Sequence, residues 1–206
     1  MDDLMRAVSK FNRFLDQYSE AGEYDAVLLQ ERYDVDNDWD YVWVGHWPSM
    51  KDMANGSENW FKNGGKIAAE FQKVSDCNAV RGWQYIYRMS PSTSEVWPVN
   101  YRSCELKDDF NHAQVRELYD RASERWENDS LPGGGRLFYQ EFGSQEHDWD
   151  SYVQVSAPGS FADEAVSAEL SENLDYSDIN EEWASMVDCT PYVQYVGSYL
   201  TDPLEQ

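Results

Sequence analysis

Basic residues are scarce in this chain, and after Arg136 there are none. Lys and Arg number 16 against 39 Asp and Glu, for a net charge of −23. The deficit is uneven: residues 1–103 carry 11 basic and 16 acidic side chains, residues 104–206 carry 5 and 23. A surface this acidic repels phosphate backbones and anionic lipid, which argues against nucleic-acid and membrane-surface partners. It suits salty or extracellular conditions, where self-repulsion is screened; a basic partner or cationic substrate is the functional alternative.

Long apolar runs are missing as well. No stretch approaches the ~20 residues that cross a bilayer, and no charged-then-apolar leader opens the chain, so a soluble protein of unassigned compartment is expected. There is no P-loop, dinucleotide fingerprint or nucleophile elbow. The 3 cysteines, Cys77, Cys104 and Cys189, are widely spaced with no CxxC pair. That spacing argues against a zinc site and a disulfide framework, and reads as buried thiols acting as small apolar residues; one bridge plus one free thiol is the alternative. Neither metal nor cofactor is expected.

Apolar and aromatic residues, in contrast, are plentiful: 41% hydrophobic and 15% aromatic, with 9 Trp and 14 Tyr. That is the composition of a folded chain with a sizeable core. Leu4, Val8, Phe11, Leu15 and Tyr18 are spaced as on a helix. Strands are predicted at 24–33, 40–47 and 82–89, with a helix over 48–74 broken near Gly56 and again at Gly64–Gly65. After a turn-rich linker at 91–98 come a strand over 99–106, a helix, strands at 136–142 and 151–157, and a strand over 192–200. One long acidic helix from about Ser160 is expected to bury Val166, Leu170, Leu174, Ile179, Trp183 and Val187.

The two halves repeat. Gln30-Glu31, Asp38-Trp39-Asp40 and Gln84-Tyr85 each recur 110 residues later, as Gln140-Glu141, Asp148-Trp149-Asp150 and Gln194-Tyr195. Three matches at one offset, each in the corresponding predicted element, indicate a tandem duplication. The order βαββαβ is that of a ferredoxin-like unit, a four-stranded antiparallel sheet with two helices on one face. The expected fold is therefore α+β, with one such unit over 1–90, a linker over 91–98 and a second unit over 99–202. The first unit lacks its first strand, which by the same offset would precede Met1; either the chain as written begins late or a three-stranded sheet has its edge covered.

Within this frame 34-DVDNDWD-40 is the hairpin loop between two strands. A calcium loop of the EF-hand type needs Gly at its sixth position and Glu at its twelfth, where this sequence has Trp39 and Gly45.

Two ferredoxin-like units in one aromatic-rich chain resemble the dimeric α/β-barrel superfamily, in which two antiparallel sheets pack face to face as a barrel with helices outside. The resemblance rests on element order and on the repeat, over residues 1–202, and on no catalytic motif. It implies a pocket between sheet and helices, in a monomer with internal pseudo-twofold symmetry or a homodimer. Haem-binding branches fit poorly: His112 opens a helix, His147 lies in a hairpin loop, and no GxxDG run is present.

Candidate site residues follow. His46 ends a strand on the face shared by Val42 and Val44, where it would serve as a general base or pack at the sheet rim. Trp43, Tyr85 and Tyr87 lie on alternating strand positions that suit either a flat organic ligand or a core between sheets. Gln30 and Gln140, with Glu31 and Glu141, occupy equivalent strand positions and suit an inter-sheet hydrogen-bond network or an inward acid/base group. Two functions are consistent with this set. One is a small-molecule-binding or self-assembling protein with an aromatic-lined pocket for an apolar or aromatic molecule. The other is a cofactor-free monooxygenase or isomerase acting on an aromatic or polyketide-like substrate through His46.

Overall fold

Helix α1 (Asp2–Gln17) buries Ala7, Val8, Phe11 and Phe14 on one stripe, a spacing that only a 3.6-residue period brings together. The computed structural model to which it belongs describes residues 2–18, 24–33, 41–90, 92–142 and 150–201. The Asp-rich stretch 34–40 and residues 143–149, which hold all of its counterpart but Asp150, lie outside the described residues, and with them Trp39, Trp149 and His147. The chain is α+β and divides into two compact units. Residues Met1–Leu28, Val42–Asn78 and Tyr199–Gln206 form the first; Leu29–Tyr41 and Ala79–Ser198 form the second.

In the first unit α1 is followed by strands β1 (Asp25–Glu31, which continues into the second unit from Leu29) and β2 (Tyr41–His46), then helices α2 (Met50–Asn63) and α3 (Gly65–Phe71). Its core is aromatic. The Phe11 ring meets Tyr24, Trp43, Trp60 and Phe71 edge-on, with centroids 5.4–6.1 Å apart. That geometry places ring edges against π-faces. Ser49 caps α2 by accepting the Asp52 amide N–H at 3.1 Å. Gly64 closes the same helix, its N–H donating to the Trp60 carbonyl at 2.8 Å. The helical break expected at Gly56 does not occur. Gly56 lies inside α2 because the Trp47 ring packs directly on it, where a Cβ would collide.

The second unit holds β3 (Arg81–Arg88), β4 (Val96–Leu106), α4 (His112–Asn128), β5 (Gly134–Phe142), β6 (Ser151–Ala157), α5 (Phe161–Ser171), α6 (Ser177–Met186), β7 (Val187–Cys189) and β8 (Val193–Tyr199). Every ladder is antiparallel: β3 pairs with β5, β5 with β6, β6 with β4, and β4 with β8 and β7. Beyond β8, the Arg32 amide donates to the Gln194 carbonyl at 3.0 Å, carrying the end of β1 along the outer edge. Asn111 opens α4 with a full capping box, its side chain taking the Ala113 and Gln114 amides while Gln114 reaches back.

Alternation along the strands sorts side chains to two faces. Cys104, Leu137, Tyr139 and Tyr152 face α4 and α6 and form a core with Val115, Leu118, Tyr119, Met186 and Val187. His112 packs its ring edge on Tyr139 and Tyr152, so it sits against this core.

Two expectations are corrected here. The long acidic helix is two helices, broken at 172–176; Val166 and Leu170 are 43% and 36% exposed, and Val187 has left the helix for β7. The reading of all three cysteines as buried thiols also fails. Cys104 and Cys189 are partners across the β4–β7 ladder and are joined in a disulfide, while Cys77 is free and exposed. Paired strands bring their Cα atoms to 4.1 Å, a closeness that sequence spacing cannot show.

Candidate functional site

A cavity of about 630 Å³ opens in the second unit between the helix-covered face of the sheet and helices α4, α5 and α6. Strand positions 100 and 102 of β4, 154 and 156 of β6 and 87 of β3 supply its floor. Leu118, Ala122, Trp126, Ile179 and Trp183 supply apolar walls from α4 and α6, and Glu164, Ser167 and Ala168 close it from α5. The exposed apolar residues of α5 and the space beneath it have one cause: α5 buries no residue of its own.

Aromatic rings dominate this site. Tyr87 lies flat on Tyr119, centroids 4.6 Å apart, and 6.3 Å from Trp126. Gly135 of β5 makes room for it, since a Cβ there would collide with the Tyr87 hydroxyl. Trp183 donates its indole N–H to the Tyr119 hydroxyl at 2.9 Å, and Tyr176 donates to Asp129 at 2.7 Å. Burial pushes the Tyr87 and Tyr119 hydroxyls up from their ordinary value, and Tyr152 to about 12, because a phenolate would lose its water. All these phenols are neutral at physiological pH.

The polar members divide into two groups. Glu164 accepts from Gln194 at 2.6 Å and from Asn100 at 3.4 Å, and its second oxygen lies 4.0 Å from Arg32. Arg102 donates Nε–H to the buried Gln154 at 2.6 Å. Its guanidinium carbon stands 4.2 Å over the Trp183 ring and 4.3 Å over the Tyr192 ring. Arg88, at the other side of the cavity, donates to the Leu131 carbonyl.

Of the candidate site residues named from the sequence, only Tyr87 lines this cavity; Ile179 and Trp183, expected only as buried helix residues, line it too. Tyr85, on the same strand face, donates to both oxygens of Asp120 at 2.7 Å, and this hydrogen bond holds its hydroxyl proton above the usual range. Trp43 is committed within the first unit, its ring on Phe11 and Phe71 and its N–H donating to the Tyr24 hydroxyl at 2.8 Å. His46 is half-buried at the end of β2, three residues on from Trp43 and therefore on the opposite strand face. Gln30 is exposed on β1 and Gln140 half-buried on β5, while Glu141 lies 3.9 Å from Arg81.

Arg102, Gln154, Trp126 and Trp183 were missed by the sequence reading as site residues. Their signal was polar Asn100 and Arg102 alternating with apolar Val99 and Tyr101 on a central strand, which puts a charge on a face that helices cover. Among the described residues no cluster of His, Cys, Asp and Glu is arranged to hold a metal, and no helix is long and apolar enough to cross a membrane. Compared with protein-family models, curated proteins and solved structures, the chain matches none.

Proposed function

We propose that this chain binds a small, flat, apolar or aromatic molecule in the cavity of its second unit. The observation that carries this reading is a space of about 630 Å³ walled by Tyr87, Trp126 and Trp183, with a few convergent polar groups on its floor. Ligand sites typically occupy roughly 300–1,000 Å³ with that division of apolar wall and polar anchor. Stacking on neutral phenols and indoles favours planar ligands over globular ones. No observation favours the alternative, a cofactor-free monooxygenase or isomerase, over binding alone; consumption of an aromatic quinol by the purified protein would speak for it.

The order β8-β4-β6-β5, with α4 after the first of these strands in sequence and α5–α6 before the last, supports a ferredoxin-like second unit. The repeated Gln-Glu and Gln-Tyr pairs fall in β1 and β5, and in β3 and β8, which supports a tandem origin of the α/β-barrel kind. One chain then supplies both halves, and a monomer is expected in solution.

The test is titration of the intrinsic tryptophan fluorescence with naphthamide, a neutral planar probe. Saturable quenching by one equivalent is expected. Ala168→Trp, on the exposed α5 wall, fills the cavity from outside the core and is expected to abolish it. Absence of saturable quenching, or quenching that Ala168→Trp leaves untouched, contradicts the reading.

A further inference from the structure

Cations are few in this chain, and the structure spends most of them on carboxylates. Arg6, Lys10, Arg32, Lys62, Lys73, Arg81, Lys107, Arg121 and Arg125 each have an Asp or Glu oxygen within 4.0 Å. The two arginines that line the cavity, Arg88 and Arg102, have none among the described residues. Arg13, Lys51, Lys66, Arg116 and Arg136 likewise have no carboxylate that close among the described residues, so what sets the pair apart is their place inside the cavity.

Arg102 is the more telling of the pair. Its guanidinium faces are covered by Trp183 and Tyr192, and its Nε–H is taken by Gln154. These contacts fix the plane and orientation of the group and leave both terminal nitrogens without a protein acceptor among the described residues. The neighbouring hydroxyls of Tyr87, Tyr119 and Tyr152 stay protonated, so they do not neutralise it. Glu164, the carboxylate of the cavity lining, is held by Gln194, Asn100 and Arg32. A half-buried guanidinium that is oriented but not neutralised is costly unless an anion completes it. A planar fork of N–H donors matches a carboxylate bidentately.

We infer that the cavity takes a planar organic acid, with its carboxylate on the terminal nitrogens of Arg102 and its ring against Tyr87, Trp126 and Trp183. The inference rests on the binding reading above and narrows it to anions. An acidic exterior is compatible with this, because the recognition charge lies inside the cavity and surface charge is screened over about 8 Å at physiological salt.

The test compares naphthoate with its neutral amide, naphthamide, by calorimetry at neutral pH. The two probes share shape and ring, so their difference isolates the charge. Naphthoate is expected to bind ~10-fold or more tightly than naphthamide, the value of one charge-assisted hydrogen-bond pair over a neutral one. Arg102→Gln is expected to remove that preference, so that the ratio of naphthoate to naphthamide affinity falls to about one; Arg102→Lys, which keeps charge without the fork, restores part of it. Equal binding of both probes to the unmodified protein overturns the anion inference while the binding reading stands. Binding of neither probe at millimolar concentration overturns both. Because the comparison is made first on the unmodified protein, a variant that fails to fold does not blunt it.

Discussion

The Arg102 guanidinium lies 4.2 Å from the face of the Trp183 ring, inside a cavity floored by β4 and β6 and roofed by α6. A cation over an indole stabilises the pair by about 0.5–2 kcal/mol depending on its exposure to water. Trp183→Leu removes the π-face, part of the apolar volume and the indole N–H bond to Tyr119, and is expected to lower stability by about 2 kcal/mol or more. It is also expected to weaken naphthoate binding more than naphthamide binding, because Arg102 loses its alignment. Denaturant unfolding and the same pair of titrations check both effects.

The Cys104–Cys189 bridge closes a sequence separation of 85 residues. On the chain-entropy view a loop of that length stabilises by about 4.6 kcal/mol. The native protein is expected to show one reactive thiol, Cys77, and three after denaturation and reduction. Replacing both bridging cysteines with serine is expected to lower the unfolding midpoint markedly. Three native thiols would contradict the bridge. Such bridges persist in oxidising surroundings, so purification without reductant is part of the measurement.

Gly56 tests the first unit. Gly→Ala inside a helix ordinarily gains up to about 1 kcal/mol, but here the new methyl group meets the Trp47 ring. Overpacking costs about 1–3 kcal/mol, so the collision outweighs the helical gain and Gly56→Ala is expected to destabilise. In a Trp47→Ala background the same change is expected to be neutral or stabilising. A stabilising Gly56→Ala in the unmodified protein would contradict the packing.

Two pH dependences follow from named groups. Hydrogen bonds from Lys10 and Lys73 hold the Glu70 carboxyl down at about 2, against an ordinary value of 4.5. Its folded value is depressed, so its contribution is complete above pH 4.5 and is lost as pH falls towards 2. Glu70→Gln is expected to flatten the acid limb of a melting-temperature profile over that window. At the alkaline end the sign reverses. Burial raises Tyr101 and Tyr152 to about 12, from an ordinary 10.0. A raised folded value leaves stability intact below pH 10 and erodes it as pH climbs towards 12. Absorbance titration of the phenolates is expected to show a late group of tyrosines that ionise together with unfolding.

Much of this fold was legible in the sequence because each strand alternates and each helix keeps a 3.6 period. Apart from β7 and the division of α5 from α6, the order from α1 through β8 is present in those patterns, and the 110-residue offset marks β1 against β5 and β3 against β8. What was not legible depends on approach between distant residues. Nothing in the spacing of Cys104 and Cys189 shows that β7 lies beside β4. The helical pattern continues through Leu170 and Leu174, so it hides the break between α5 and α6 and the space left beneath α5. Gly56 resembles a helix breaker until Trp47 is placed on it. The site was the least legible part. Tyr87 belongs to an evident aromatic stripe, whereas Arg102 becomes a site residue only when Trp183 and Tyr192 arrive from another part of the chain.

The most direct measurement of ligand binding in this cavity is a nitrogen-edited magnetic-resonance titration of the tryptophan indole N–H signals with naphthamide. Binding there shifts the signals of Trp126 and Trp183, which line the cavity, and leaves those of Trp43, Trp47 and Trp60 in the first unit in place. Shifts confined to the first-unit tryptophans, or none at saturating probe, would contradict the central claim.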